Sequence, residues 1–566
     1  MQRTVVVLGS GPIRIGQGVE FDYGCVHCVY TLRELGFRAT IINNNPETVS
    51  TDFDTGDALY FEPVTADSVA AVCERENAEG VLVQFGGQTA INLADELHAR
   101  GIQVIGTTPD AISLAEDRER CDALLGRLGI QRPKGRAVHG IEQAVEAASE
   151  SGYPVLVRPS FVLGGRGMEI CESEAHLRAF YSEAEDANPG KPVLVDRYVR
   201  GLEAELDVIS DGVDTLVPGV MEHIERAGIH SGDSMTVYPP VGLSRKAQSE
   251  MAGIAMQIAT EMGVKGLLNV QFVMDGDTPM VLEVNPRASR TVPYISKVTG
   301  VPMVALATFA AVGGTLREAG YSSGVWCPVP ISNTHPISTP ERWKPLTPGS
   351  VASLEQFAAS EEPVSRIYAV KAPVFSFQKL ARVEPALGPE MKSTGEVLGV
   401  DWTFEAALYK ALLASGVSFR PHGQVILTVN DSDKDDAVEI ARRLVSAGHT
   451  VAATTGTRRA LVEAGIECEL LNKVQDGSPN IRERLYEGRV SLMINTPKPG
   501  DQNTPDAVMI RSTCIGTGVA CVTSIDTARA LARALEAFAD PTTTSCMSIT
   551  EYLRPEVRDK AASLVT

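Results

Sequence analysis

The chain has 566 residues, 51 of them Lys or Arg and 71 Asp or Glu, for a net charge of −20, with 44% hydrophobic and 22% charged residues. That length suits roughly three or four domains with sizeable cores, and so acidic a balance excludes a general nucleic-acid or membrane-surface binder. No apolar run approaches the ~18 residues of a spanning helix, and the amino terminus enters a strand directly, so a cytoplasmic protein with no membrane role is expected.

Thr4–Leu8 reads as a strand, Gly9 to Gly18 as a polar, glycine-rich loop holding Arg14, and the following residues as a helix to about Leu35. Further strands are expected at Ala39–Asn43 and Gly80–Gln84, the second ending in Phe85-Gly86-Gly87-Gln88-Thr89. This alternation predicts a doubly wound parallel sheet with ligand loops at the strand carboxyl ends. The Gly-x-Gly spacing departs from the dinucleotide fingerprint and no acidic ribose partner follows, so a nicotinamide site is not expected. Ten cysteines are scattered along the chain, as in reduced proteins. Cys25-Val26-His27-Cys28 has no second pair to complete a zinc site and reads as helix packing.

From about Ser113 the pattern changes. Ala115-Glu116-Asp117-Arg118 opens a helix expected to run to Leu128. A strand over Tyr153–Val157 leads to Arg158, then to the loop Leu163-Gly164-Gly165-Arg166-Gly167. Glycines let backbone N–H groups approach a phosphate, and Arg158 and Arg166 supply charge. A strand over Pro192–Tyr198 precedes Leu202–Asp207, where Glu203, Glu205 and Asp207 alternate onto one face. Those carboxylates suit ribose hydroxyls or plain solvation.

The most informative segment is a hairpin: Asn269–Met274, the turn Asp275-Gly276-Asp277, and Met280–Asn285. Pairing Met274 with Met280 places Gln271 opposite Glu283, with Asn285 on the same face and Leu282 and Val284 on the other. A carboxylate with two amides is an all-oxygen set for a hard cation such as Mg²⁺ carrying nucleotide phosphates. Arg287 and Arg290 follow at once and suit an anionic substrate. The pattern points to ATP-dependent phosphoryl transfer.

After Pro302 a helix is expected, then a Pro- and Ser-rich loop excursion over residues 322–363, more solvated than packed. A helix over Thr403–Ser415 precedes a boundary at Pro421-His422-Gly423. Beyond it, short strands at Gln424–Val429, Thr450–Ala453, Cys468–Leu470 and Ser491–Ile494 between helices predict a separate small α/β domain.

Several longer motifs carry a family resemblance: Gly11-Pro12-Ile13-Arg14-Ile15-Gly16-Gln17-Gly18 with Glu20-Phe21-Asp22-Tyr23, Asn45-Pro46-Glu47-Thr48-Val49-Ser50-Thr51-Asp52, Met221-Glu222-His223-Ile224-Glu225, His230-Ser231-Gly232-Asp233-Ser234 and Glu283-Val284-Asn285-Pro286-Arg287. The sequence resembles the carboxyl-terminal half of the carbamoyl phosphate synthetase large subunit. The resemblance implies a multidomain α/β and α+β chain: a pre-ATP-grasp, Rossmann-like domain (residues 1–112), an ATP-grasp module (113–312), a helical linking region (313–420) containing the 322–363 tract, and a methylglyoxal-synthase-like allosteric domain (421–566).

It further implies phosphorylation of carbamate by ATP to carbamoyl phosphate, the second half-reaction of a synthesis feeding the pyrimidine and arginine pathways. By matching motif, Arg118, Arg158 and Arg166 contact ATP phosphates beside Gly164 and Gly165, which form a lid. Asp196 and Glu203 lie by the adenosine, and His230 near the nucleotide and the reacting phosphate. Gln271, Glu283 and Asn285 bind two divalent ions, Mg²⁺ or Mn²⁺, with K⁺ a further candidate, while Arg287 and Arg290 face the carbamate. Lys434, Thr454, Thr457, Lys473 and Asn495 match positions that hold a nucleotide effector, UMP being favoured. Glu225 and Asp233 match ornithine-side carboxylates, but Cys521 stands where ornithine-responsive members carry tyrosine, so weak or no activation is expected. An amino-terminal-half-like synthetase unit and a glutaminase are missing from this sequence, so a split-gene subunit or an excised portion is expected, working with those partners or by self-association. Another ATP-grasp carboxylate ligase and a non-catalytic nucleotide-binding regulatory subunit are the alternatives.

Overall fold

Thr4–Leu8 is an unbroken apolar run apart from its first residue, the pattern of a strand covered on both faces. It lies inside a parallel sheet in the computed structural model, which describes residues 2–159, 167–187, 189–332, 334–377, 385–417, 422–496, 504–538 and 545–553. The strand order is Ala58–Tyr60, Arg38–Ile42, Thr4–Leu8 and Gly80–Leu82. Helix Glu20–Glu34 buries Cys25, Cys28, Val29 and Leu32 against this sheet, so both cysteines of the C-x-x-C pair are core residues. The same core continues into helix Met303–Ala311, which packs on helix Glu20–Glu34, and into Leu267 and Trp326. The first domain and the central unit therefore share one apolar interior.

The single helix expected over 115–128 is two helices, Pro109–Glu116 and Arg118–Arg127. Asp117 divides them: its backbone is extended, and its carboxylate accepts a hydrogen bond from the Arg120 N–H as an N-cap. The cap makes Arg118 the first residue of the second helix. Next comes a four-stranded antiparallel sheet ordered Gly135–Val138, Val193–Arg197, Val155–Pro159 and Glu169–Cys171. Gly164, Gly165 and Arg166 lie outside the described residues.

The central unit is built on a ten-stranded sheet. Its path runs Ser350–Ala352, Gly324–Cys327, Thr215–Val217, Leu202–Asp211, Val220–Arg226, Thr236–Tyr238, Tyr368–Val374 and Gly395–Asp401, with the hairpin Lys265–Asp275 and Thr278–Asn285 added on Leu202–Asp211.

Two expectations are corrected here. The 322–363 tract is not a solvated excursion: it contributes strands Gly324–Cys327 and Ser350–Ala352 and helix Leu354–Ala359 to the central unit. Trp326 is 0% exposed with its indole N–H donating to the Thr299 carbonyl at 3.0 Å, and Trp343 is buried against Phe309. Burial of these large aromatics outweighs the proline spacing, which only keeps the intervening segments irregular. Nor is 313–420 a helical linker, since Tyr368–Val374 and Gly395–Asp401 extend the central sheet as an antiparallel pair. Helix Phe404–Ala414, close to the one expected over Thr403–Ser415, covers that pair and also joins the core of the last domain.

The last domain is a five-stranded parallel sheet ordered Glu469–Leu470, Thr450–Ala453, Gln424–Thr428, Val490–Asn495 and Ala520–Val522. The fifth strand was not anticipated; at three residues it carries too little periodicity to read. No single helix among the described residues is long and apolar enough to cross a membrane.

Candidate active site and effector edge

The hairpin carries the first part of the site. Gln271 pairs with Glu283, as expected, but by a different route. The turn is tighter than expected, with Asp275 opposite Thr278 and Met274 opposite Pro279. A bulge between Gln271 and Phe272, with Leu282 as the extra residue, then restores the Gln271–Glu283 pair. The bulge changes which side chains join the core: Val281 and Val284 are buried in it, while Leu282 is only half-buried, and all three border a cavity with Glu283 and Asn285. The expected placing of Leu282 with Val284, on the face opposite Glu283 and Asn285, is therefore corrected: Val284 joins the core and Leu282 does not.

That cavity, about 530 Å³, is bounded by the central sheet, the small antiparallel sheet and loops of the first domain. Arg118, Arg158, Asp196, Glu203, His230, Gln271, Glu283, Asn285, Arg287 and Arg290 all line it. Asp207 is buried behind its wall, bonded to Ser289 and Thr291, which line it.

On one side, Arg118 and Arg158 converge on Asp196. Arg118 Nη2 donates to Asp196 Oδ1 at 2.7 Å and Arg158 Nε to Asp196 Oδ2 at 3.0 Å. Strand register brings the latter pair together, since Leu156 opposes Asp196 and Arg158 lies two residues along the same face. Arg118 also pairs with Asp122 at 3.0 Å, and Asp122 with Arg132. The resulting cluster holds three guanidinium groups against two carboxylates, a surplus of positive charge at the cavity wall.

The floor comes from strand Leu202–Asp211. Glu205 and Asp207 are 4% and 1% exposed, so this acidic face is not solvated. His223 lies across it, its ring nitrogens 3.3 Å from Glu203 and 3.3 Å from Glu205. Burial opposes its protonation, but the two carboxylates outweigh that and push the imidazole up to about 9. Asn269 Nδ2 bridges Glu205 and Asp207 at 3.3 Å each. Burial, then the charge of Glu205, push Asp207 up to about 7.

His230 behaves oppositely. Its Nδ1 accepts from the Gly232 N–H at 3.0 Å, which assigns the ring proton to Nε2. Burial and the charges of Arg290 and Lys371 pull it down to about 3, so it is a neutral donor. Lys371, also at the cavity, is anchored to Glu396 at 2.9 Å.

The arginines after the hairpin are held by the first domain. Arg287 Nε donates to Gln88 Oε1 at 3.2 Å, and Arg290 Nε lies 3.2 Å from Glu20. The Glu283 carboxylate is exposed to the cavity and makes no hydrogen bond or ion pair among the described residues. Gln271 uses only its amide N–H₂, toward Ser231 at 3.5 Å. An unpartnered carboxylate flanked by free amide oxygen fits a hard divalent cation. Sequence reasoning missed Gln88, Arg132 and Lys371 as cavity residues and His223 as the group buried beneath Glu203 and Glu205; the flanking motifs hinted at Gln88 and His223, and no local signal marks the others.

In the small domain, the residues expected to hold an effector lie at the carboxyl ends of strands Thr450–Ala453 and Val490–Asn495 (Thr454, Asn495), in the first turns of helices Lys434–Ser446 and Thr455–Glu463 (Lys434, Thr457), and beyond strand Glu469–Leu470 (Lys473). Thr454 donates to Thr428 at 3.2 Å, Thr457 accepts from the Val429 N–H at 3.3 Å, and Asn495 accepts from the buried Arg511 at 3.1 Å. Lys434 pairs with Asp431 and lies against Gly456, while Lys473 is exposed beyond strand Glu469–Leu470. Glu225 accepts from the Met235 N–H and the Thr527 hydroxyl, each at 2.7 Å, and Asp233 from the Lys392 and Ser393 N–H groups at 2.8 Å.

Comparison with known proteins agrees with this architecture. Residues 1–114 match the carbamoyl phosphate synthase preATP-grasp domain, 117–319 the carbamoyl-phosphate synthase L chain ATP binding domain, and 436–523 the MGS-like domain. Among solved structures, the biotin carboxylase domain of Hydrogenobacter thermophilus 2-oxoglutarate carboxylase, solved with MgADP, ADP and bicarbonate, is 19% identical, covering 73% of this chain and 90% of its own at a TM-score of 0.52. Biotin carboxylase from Campylobacter jejuni is 16% identical, covering 73% and 91% at 0.50. An N5-carboxyaminoimidazole ribonucleotide synthetase–ADP complex is 15% identical, covering 72% and 95% at 0.50. These identities speak for the shared ATP-grasp fold. With its three domains matched in order along more than half its length, the chain belongs to the carbamoyl phosphate synthase large-chain family, built as an ATP-grasp ligase with an MGS-like domain.

Proposed function

We propose that the protein phosphorylates carbamate with ATP to give carbamoyl phosphate and ADP. The observation that carries the reading is the convergence of Gln271, Glu283 and Asn285 with Arg287, Arg290 and a neutral His230 on one cavity. A carbamate oxygen attacks the γ-phosphorus of ATP, the bond to the bridging oxygen of ADP breaks, and no proton changes hands. Catalysis then rests on positioning and charge neutralisation, without a general base. Arg287 and Arg290 hold the carbamate, while the Nε2–H of His230 donates to the transferring phosphoryl group. Arg118 and Arg158 leave Asp196 in part to meet the other phosphates. Gln271, Glu283 and Asn285 would hold divalent ions, Mg²⁺ or Mn²⁺, which would supply charge compensation for the phosphates when bound.

Carbamate is labile in water, so the reading calls for an amino-terminal-half-like unit, or a second copy, and a glutaminase docked to this chain, in the cytoplasm and serving pyrimidine and arginine synthesis. UMP is the proposed effector at Lys434, Thr454, Thr457, Lys473 and Asn495. The direct test runs the reaction backwards: ATP formed from ADP and carbamoyl phosphate by the purified chain. Absence of ATP formation with Mg²⁺ or Mn²⁺ present overturns the reading in favour of a non-catalytic subunit, and ATP formed only from another acyl phosphate points to a different carboxylate ligase. Light scattering of the chain with its partners checks assembly; a persistent monomer with full glutamine-dependent activity contradicts it.

A further inference from the structure

Resting on that reading, we propose that Asp207 is a positioning residue that locks the Pro286–Thr291 turn and so aims Arg287 and Arg290 at the anionic substrate. Asp207 is 1% exposed on strand Leu202–Asp211 and touches neither substrate position nor metal set. Its Oδ2 accepts from the Ser289 hydroxyl at 2.9 Å and the Thr291 hydroxyl at 3.0 Å, and its Oδ1 from Asn269 Nδ2 at 3.3 Å. The two hydroxyls flank Arg290 in sequence and lie 2.8 Å from one another, with the Thr291 N–H donating to Ser289 Oγ at 3.1 Å. One carboxylate therefore fixes both sides of the arginine's backbone.

The opposite side of the turn is tied to the first domain, where the Ala288 N–H donates to the Gln84 carbonyl at 3.0 Å and Gln84 Nε2 to the Pro286 carbonyl at 3.4 Å. Between these anchors the guanidinium groups have few side-chain contacts across the domain boundary among the described residues: Arg287 to Gln88 and over the Phe21 ring, and Arg290 to Glu20. Their aim depends on the backbone of the turn. A buried carboxylate with three donors is a stiff anchor, and a substrate group displaced by about 1 Å costs on the order of 10²-fold in rate.

The test uses the full chain, Asp207→Asn, Thr291→Val and the double variant, with ADP and carbamoyl phosphate as substrates. Asparagine keeps its oxygen on the Asn269 donor and turns its N–H₂ toward the Ser289 and Thr291 hydroxyls, so both hydroxyls lose their acceptor. Asp207→Asn is expected to lower kcat/KM for carbamoyl phosphate about 10- to 100-fold while KM for MgADP stays within about twofold. Thr291→Val shifts the same parameter less, and the double variant is no worse than Asp207→Asn, because Asp207→Asn already removes the acceptor of the Thr291 hydroxyl. Hydrogen–deuterium exchange should quicken in peptides spanning residues 285–292 and not in strand Thr4–Leu8. Unchanged kcat/KM, equal losses for both substrates, or unaltered exchange at 285–292 overturns the proposal. If the wild type makes no ATP from carbamoyl phosphate, the functional reading fails and the exchange comparison alone decides the anchor. If Asp207→Asn does not fold, Thr291→Val, which keeps size and shape, carries both readouts.

Discussion

The Glu225 carboxylate, in the central sheet, accepts a 2.7 Å hydrogen bond from the hydroxyl of Thr527, on helix Ile525–Ala537 of the small domain. Beside it, Arg226 pairs with Asp526 at 2.9 Å, and Arg529 bridges Asp526 and Asp436 at 3.0 and 2.7 Å. Asp436 lies two residues beyond Lys434 in the first turn of helix Lys434–Ser446, and Glu225 two residues beyond His223 at the cavity floor. The proposed effector edge and the cavity thus meet through a polar seam.

Thr527→Val removes one donor from a buried carboxylate that burial already pushes up to about 7. The variant should lose about 1–3 kcal/mol of stability, measured by chemical denaturation, because an orphaned buried acceptor keeps its desolvation cost. UMP binding by calorimetry should persist while its effect on ATP synthesis weakens. A full effect of UMP in this variant would show that coupling does not cross this contact.

Glu283→Gln keeps the hairpin and most of the shape of the cavity but removes its unpartnered charge. We expect ADP affinity to be largely retained and the rate of ATP synthesis to fall by at least ~3 kcal/mol of transition-state stabilisation, the scale of a principal electrostatic contact. Near-normal turnover would remove Glu283 from the metal set.

Lys473→Ala alters an exposed cation beyond the sheet edge of the small domain. Inhibition by UMP should be abolished with basal turnover nearly intact, the coupling lost being on the order of 1–3 kcal/mol. Loss of basal turnover with inhibition retained would move the effector site elsewhere. Ornithine should activate weakly or not at all.

The His223 imidazolium, pushed up from 6.5 to about 9 by Glu203 and Glu205, binds its proton more tightly in the folded chain than in the unfolded one. Its stabilising contribution is complete below about pH 6.5 and is lost as pH rises through about 9. Wild-type melting temperature should therefore fall across that window more steeply than that of His223→Gln. Equal slopes would mean that His223 is not charged between its two carboxylates.

Trp326→Ala opens a cavity in a fully buried part of the core shared by the first domain and the central unit. The expected cost is about 3–5 kcal/mol, read as a shift in the urea midpoint. A loss under 1 kcal/mol would return the 322–363 tract to the surface.

The chain's own order was enough to show the pairing of Gln271 with Glu283 and much of the strand pattern. Strand alternation acts between neighbours, so Glu203, Glu205 and Asp207 sharing a face, and Gln271 meeting Glu283, were legible from spacing. The arginines at 287 and 290 were legible for the same reason, being continuous with the hairpin. Even there the bulge that leaves Leu282 unpaired and outside the core was not, because register depends on the turn and on packing along the whole strand. Tertiary structure alone decided that Lys371, some hundred residues downstream, reaches the cavity, that Gln88 and Glu20 hold the arginines, and that His223 spans two carboxylates. It also decided the fate of the 322–363 tract. Proline spacing describes local backbone freedom, whereas burial of Trp326 and Trp343 is settled by distant surfaces, helix Met303–Ala311 among them, that no local window contains.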